Sequence, residues 1–404
     1  MKQKTIFHRL GAAFTAVILA AGVMTLGVSA EETVTAAQVR QTADAAAGYL
    51  TENFTSTGYS ASDLATVQLL YRSGLEQAGT VVESYLTQAA EELETYGAAV
   101  YQGYDENYDP VASPSLVGTL GAAWLAQEIG DEELSAQMVQ AGETLGTPEF
   151  IAADNPYNIA RALWCAQQLG CTQTLRDNLA EGLLSHYSEE EQAFDYWGCS
   201  VDTNTVMARG AMAYTGQVAG VAQAAENAMT FVDSLRQLDG SYFSDFQYST
   251  DSNADSTGLA LSALADQAAR GDEAAAQKAA ATYQALMDRY FVADSGAFGY
   301  MDNTSANSYA TADALEGLLT YAEVLEQHPP ETPVTPEQPE DTTSATETES
   351  TPSQETSSEG ASEISAGESN PQTGDDSTPW AAGALTVLLL AVTAGVVGMK
   401  KVRK

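Results

Sequence analysis

Positive charge is what this sequence has least of. It carries 16 Lys and Arg against 55 Asp and Glu, a formal net charge of −39. Part of that small basic complement sits at the two ends, at Lys2, Lys4, Arg9, Lys400, Lys401, Arg403 and Lys404. Between them only Arg40, Arg72, Arg161, Arg176, Arg209, Arg236, Arg270, Lys278 and Arg289 remain. So acidic a surface repels phosphate backbones and anionic lipid, which excludes nucleic acid as a partner. Cysteine is scarce as well. Cys165, Cys171 and Cys199 are odd in number and match no zinc spacing, so they read as buried thiols rather than a disulfide frame. Histidine is nearly missing within the body of the chain, where His186 stands alone, and that leaves no ligand set for a zinc ion. No metal and no cofactor is expected.

Long apolar runs occur only at the ends. Lys2, Lys4 and Arg9 precede a run of apolar and small residues from Gly11 to Gly27, and Val28-Ser29-Ala30 offers the small residues a signal peptidase reads. Residues 1–30 are therefore expected to be a secretory signal, with Glu31 beginning the mature chain. At the other end, residues 380–399 provide about 20 largely apolar positions, enough for one transmembrane helix. The basic residues of 400–404 should hold that end in the cytoplasm. Residues 328–369 are rich in Pro, Thr, Ser and Glu and, from Pro329 on, lack aromatic and basic residues. They should form a disordered stalk, since they have too little apolar surface to offset the entropy of ordering.

Between stalk and span stands Asn370-Pro371-Gln372-Thr373-Gly374. Motif, apolar span and basic stop together resemble the cell-wall sorting signal of Gram-positive surface proteins, with Asn370 where Leu is usual. The resemblance implies that a sortase cuts between Thr373 and Gly374 and joins the Thr373 carboxyl to peptidoglycan. It implies an extracellular protein fixed to the wall of a Gram-positive bacterium, touching the membrane only through its C-terminal anchor before sorting.

Residues 31–327 have a helical period and little strand-like alternation, which predicts an all-α domain. Six Ala/Leu-rich segments each open on a polar cap: Ser60, Ser115, Asn158, Asp202, Asp255 and Ser308. They recur at roughly forty to fifty-five residues, within the range of repeat architectures. More polar helices with one apolar stripe precede them, at 35–52, 77–98, 133–144, 172–185, 219–238 and 272–290. Six helices apolar nearly all round, alternating with six amphipathic ones, predict an inner and an outer ring, an (α/α)6 toroid rather than an open solenoid.

Gln237-Leu-Asp-Gly-Ser-Tyr-Phe followed by Asn253-Ala-Asp-Ser-Thr-Gly-Leu resembles the terpenoid cyclase/prenyltransferase α/α toroid superfamily. Gly296-Ala-Phe-Gly-Tyr with Asn307-Ser-Tyr-Ala-Thr repeats the pattern, and Phe194-Asp-Tyr-Trp-Gly with Asp202-Thr-Asn-Thr gives a weaker copy. The resemblance implies a funnel at the N-terminal ends of the inner helices. The cyclase chemistry it also implies needs an Asp-x-Asp-Asp-Thr motif, and here the stretch reads Asn253-Ala254-Asp255-Ser256-Thr257. With both flanking carboxylates missing, Asp255 reads as a helix cap. Prenyl transfer lacks its zinc ligands.

The role expected is non-catalytic binding of a glycan, a small nutrient or a protein at an acidic, aromatic mouth. Candidate contacts are Asp202, Asn204, Asp255, Trp197, Tyr242, Tyr300 and Tyr309. A structural or adhesive role is one alternative. The other is a glycoside hydrolase on the same barrel, which needs two carboxylates flanking a sugar. Asp105, Asp109, Asp195, Asp245 and Asp302 could supply them, as could Asp202 and Asp255. Aromatic neighbours such as Tyr104, Tyr108, Tyr196, Phe243, Phe246, Tyr248 and Phe298 serve either sugar stacking or packing. Asp105-Glu-Asn-Tyr-Asp109 and Asp251-Ser-Asn-Ala-Asp255 begin like EF-hand loops but lack their later Gly and Glu, so calcium is not expected.

Overall fold

A computed structural model describes residues 34–54, 61–104, 110–244 and 250–329. The signal, stalk, sorting motif and C-terminal apolar run lie outside the described residues. Among the described residues no helix is long and apolar enough to cross a membrane.

Helices come in pairs, the first polar on one face and the second buried nearly all round. The first pair is α1 (Ala36–Asn53) and α2 (Ala61–Ser73). The next is α3 (Gly79–Tyr96), a hairpin of β1 (Val100–Tyr104) and β2 (Pro110–Pro114), and α4 (Leu116–Glu128). After α5 (Glu132–Leu145) and the single turn α6 (Pro148–Ile151) comes α7 (Pro156–Gln168). Then α8 (Gln173–Leu184), the short strands β3 (Tyr187–Ser188) and β4 (Ala193–Phe194), and α9 (Val201–Ala213) follow. The last two pairs are α10 (Val221–Ser234) with α11 (Ala254–Ala269), and α12 (Glu273–Tyr290) with α13 (Ser308–Gln327). Strands β5 (Phe291–Val292) and β6 (Ala297–Phe298) sit between α12 and α13.

The second helices close into a ring: α2 packs on α4, α4 on α7, α7 on α9, α9 on α11, α11 on α13, and α13 back on α2. Outer helices lie against the inner helix that precedes them, α5 on α4, α8 on α7, α10 on α9 and α12 on α11, while α1 seals the seam against α13. This is the expected (α/α)6 toroid, closed rather than open. Among the described residues, three antiparallel hairpins are an addition to the all-α expectation. Each joins an outer to an inner helix, and two of them pair only two residues per strand, too short to produce visible alternation.

Glycine sets the closest approaches. A Cβ on Gly258 of α11 would lie 2.6 Å from the amide nitrogen of Ala314 and from the carbonyl of Asp313 on α13, and one on Gly317 would lie 2.5 Å from the carbonyl of Gly258. These two helices therefore meet backbone to backbone, which no side chain larger than hydrogen would allow.

The caps sit slightly upstream of the expected positions. Asn155, Ser200, Asn253 and Asn307, rather than Asn158, Asp202, Asp255 and Ser308, accept the first-turn amides of α7, α9, α11 and α13. Ser115 caps α4 as expected. The cause is visible in the bonds: Asn253 Oδ1 accepts from the Ser256 amide at 2.8 Å, which leaves Asp255 free at the second helical position.

Four residues after the cap, a side chain locks the preceding loop to the helix. Thr257 accepts from the Tyr242 amide at 3.1 Å, Thr311 from the Phe298 amide at 3.0 Å and Thr119 from the Ala99 amide at 3.1 Å. In α9 the same place is taken by Asn204, whose Oδ1 accepts from the Phe194 amide at 2.8 Å. Two residues beyond these loop anchors the chain caps the neighbouring helix. The Ser244 carbonyl accepts from the Val201 amide at 3.0 Å, and the Tyr300 carbonyl accepts from the Ala254 amide at 2.9 Å. The ring's upper face is thus stitched from hairpin to hairpin.

Candidate active site

Asp202 and Asp255 occupy the same second position on the adjacent helices α9 and α11, at the end of the ring where these inner helices begin. Their surroundings differ. Asp202 accepts from the Ser256 hydroxyl at 2.6 Å on Oδ1 and from the Ser244 hydroxyl at 3.3 Å on Oδ2. Asp255 Oδ1 is fully buried and has no hydrogen-bond partner. Donors to both oxygens favour the ionised form of one group, while burial without a donor favours the protonated form of the other.

The titration behaviour follows. Burial, then the neighbouring charge of Asp202, pushes Asp255 up to about 7. Asp202 is also raised by burial, against the opposing pull of Ser256 and Ser244. A third carboxyl joins them from α13. Asp313 is raised well above its ordinary value by burial and then by Asp255, Glu316 and Asp202, with Arg161 opposing. Burial thus raises all three acids, and the charge of Asp202 adds to it at Asp255 and at Asp313.

Beneath the acids runs an ion-pair layer. Arg161 of α7 reaches Glu316 at 3.2 Å, and Arg209 of α9 bonds both Glu316 and Asp266, the latter at 2.6 Å. Burial alone would raise Glu316, but Arg161 and Arg209 overcome it and hold the carboxylate down at about 2. Breaking such a pair would leave an uncompensated buried charge, so this layer fixes the floor of the funnel rigidly.

Aromatic side chains rise around the acids. Tyr300 feels both Asp255 and Asp202, which, after burial, push its hydroxyl upward. Tyr309 is exposed at the second position of α13, the place Asp202 and Asp255 take on their helices. Tyr157 shares a hydrogen bond with Thr203 at 3.0 Å and meets Tyr196 edge-on at 6.1 Å. Trp197 follows Tyr196, is 59% exposed and holds φ at +62°. That conformation is uncommon for a bulky residue, and its cost is borne while the ring faces solvent.

Of the expected contacts, then, Asp202, Asp255, Trp197, Tyr300 and Tyr309 lie on the upper face, and the two acids meet there. Two expectations are corrected. Asn204 is fully buried, its amide spent on Phe194 and on the Ser200 carbonyl, so it is a clamp and not a ligand contact. Tyr242 is fully buried in the wall, where it is the counterpart of Phe194 and Phe298. Each of the three follows a turn residue of positive φ by two positions: Gln192, Gly240 and Gly296. All three are packing wedges.

The reading of Asp255 as a cap is corrected too. The partners its own motif lacks are supplied by Asp202 and Asp313 from the flanking helices. Among the other acids, Asp195 accepts from the Gly198 amide at 2.9 Å and Asp302 from the Thr304 amide at 2.9 Å, both as turn formers. Residues 105–109 and 245–249 lie outside the described residues. Sequence reasoning missed Asp313, Glu316 and Ser256. The available signal was a pair of acids three apart in an α13 that is otherwise small and apolar over its first turns.

No protein-family model matches the sequence, and no curated protein does. Solved structures do resemble it. A polysaccharide lyase superposes with a TM-score of 0.53 at 15% identity, covering 72% of this chain and 98% of its own. A possible GH105 family member from Salmonella enterica serovar Paratyphi A gives 0.53 at 10%, covering 73% and 96%. An unsaturated glucuronyl hydrolase from Streptococcus agalactiae gives 0.52 at 9%, covering 72% and 93%. At such identities the likeness establishes the α/α toroid alone. What this chain adds is a contrast of its own at the ring's upper face: hydroxyl donors on both oxygens of Asp202 and none on the buried Oδ1 of Asp255.

Proposed function

We propose that this protein is a glycan-acting enzyme of the α/α-toroid kind, with Asp255 as general acid and Asp202 as its ionised partner. The observation that carries the reading is the contrast between the two carboxyls: two hydroxyl donors on Asp202, none on the buried oxygen of Asp255. Environments that push paired carboxyls apart are how acid and base roles are assigned at one pH. Asp255 delivers the proton to the leaving oxygen of a glycosidic bond, and Asp202 stabilises the positive charge that develops on the sugar ring. Tyr300 and Tyr309 offer apolar faces for the sugar. The lyase and the glucuronyl hydrolase that share the fold support a glycan over a nutrient or protein ligand. This replaces the non-catalytic role that the sequence suggested. In the same reading the enzyme works outside the cell, displayed on the wall through the Asn370–Gly374 motif by a sortase.

The test is a reducing-end assay of the purified full-length protein over neutral, amino-sugar and uronate oligosaccharides. Turnover of at least one class is expected, with Asp255→Asn lowering it about 10²–10⁴-fold. An inert wild-type protein, or an Asp255→Asn variant of undiminished rate, would overturn the proposal.

A further inference from the structure

Two carboxyls suffice for glycoside hydrolysis, and this mouth has three. The surplus group is Asp313, which lies one helical turn after Tyr309 on the same face of α13. We propose that Asp313 and Tyr309 form a recognition site for an ammonium group, so that the sugar bound at the mouth is one with a free amine. The inference rests on the glycan reading above and names its substrate class.

The absence of competing cations is the first support. Over residues 34–329 the basic side chains are few, and nearly all are engaged elsewhere. Arg161 and Arg209 are committed to Glu316, below the acids. Arg40 pairs with Glu326, Arg72 with Glu323, and Lys278 with Asp233. Arg289 is held by Asp239 at 2.6 Å, and Arg270 donates to the Met212 carbonyl. His186 is pushed down by burial, so it is neutral at physiological pH. A uronate entering the mouth would meet three acids, and the arginine that acts on Asp313, Arg161, is already paired with Glu316.

The unsatisfied oxygen is the second support. Asp255 Oδ1 is buried without a partner beside Asp202 and near Asp313. Such a cluster is relieved by a cation that takes up the repulsion. An ammonium supplies charge and three N–H donors in the volume of one methyl group. The aromatic rim is the third support. Tyr309, one turn before Asp313 on α13, and Tyr300, whose hydroxyl feels Asp255 and Asp202, are both exposed, and an ammonium between carboxylate and ring gains from both. An ammonium held there would favour the ionised form of Asp313 over the protonated form that burial favours in its absence.

The experiment is calorimetric titration of the purified full-length protein with three tetrasaccharides: glucosamine, N-acetylglucosamine and galacturonate. The glucosamine tetramer should bind at least tenfold more tightly than its acetylated form, and the galacturonate should give no heat. Asp313→Asn should erase most of that preference while changing affinity for the acetylated tetramer less than threefold. Tyr309→Ala, at an exposed position that threatens the fold little, should lower the preference by about threefold or more. Equal or reversed affinities overturn the inference, as does a preference that survives both substitutions, which would trace to the general acidity of the surface. Binding is read without turnover. A retained amine preference in a protein that hydrolyses nothing sinks the catalytic reading alone, and hydrolysis of neutral glycans without that preference sinks only the amine site.

Discussion

The hydroxyl of Ser256 on α11 donates to Asp202 Oδ1 on α9 at 2.6 Å, so the residue next to the proposed acid holds that acid's proposed ionised partner. One helix start thus sets both protonation states. Ser256→Ala should remove a charge-assisted bond and raise Asp202. We expect kcat/KM to fall about tenfold, in line with ~1.5 kcal/mol for such a bond. The acidic limb of the pH profile should move to higher pH. A profile that keeps its acidic limb in place would show that Asp202 is not the ionised partner.

Asp255 should make the fold less stable as pH rises. Its folded-state value of about 7 lies above the ordinary 3.8, so the native state binds the proton more tightly. The stabilisation is complete below about pH 4 and is lost as pH climbs through 7. Asp255→Asn should therefore raise the melting temperature at pH 8 and leave it nearly unchanged near pH 4. Melting curves across that range decide it, and a variant that melts lower at pH 8 contradicts the account. Catalytic loss with stability gain is the usual signature of a functional acid.

Glu316 should act in the opposite sense. Held at about 2 against an ordinary 4.5, it contributes stability above pH 4.5 that disappears as pH falls through 2. Glu316→Gln leaves Arg161 and Arg209 buried against a neutral group, and roughly 3–5 kcal/mol should be lost. Urea denaturation at pH 7 reads the effect directly. A loss below about 1 kcal/mol would mean that the arginines find other partners.

Gly258→Ala should destabilise by at least ~1–3 kcal/mol, because the added carbon meets the α13 backbone rather than a movable side chain. Since Asp313 supplies one of the contacted atoms, the same change should also lower turnover. Gly48→Ala offers the contrast. A Cβ added there, on α1, would meet nothing within 4 Å, and the change should stabilise by about 0.5–1 kcal/mol. Both are measured by chemical denaturation.

Periodicity carried most of the ring. Outer helices such as α12 fall where one apolar stripe predicts them, because burial of a single face is a local pattern. The site was less legible because it is assembled across helices. Asp255 stands in a stretch whose own neighbours are Ala254 and Ser256, and only closure of the ring brings Asp202 and Asp313 beside it. Asn204 and Tyr242 misled for the same reason. A polar or aromatic residue near a helix start can face the mouth or the wall, and the distinction depends on the loop anchor four positions after each cap. Glu316 stayed hidden because its partners, Arg161 and Arg209, come from two other hairpins.

The seam fixes a direction. Arg40, early in α1, reaches Glu326, the penultimate residue of α13, at 2.9 Å, so the described chain enters and leaves the ring at nearly the same spot. The inner helices all begin at the acids and run away from them, which puts the end of α13 on the far side of the disc. Were the proposed wall anchor attached beyond residue 329, it would join the ring on the side opposite the acids and leave their face unobstructed.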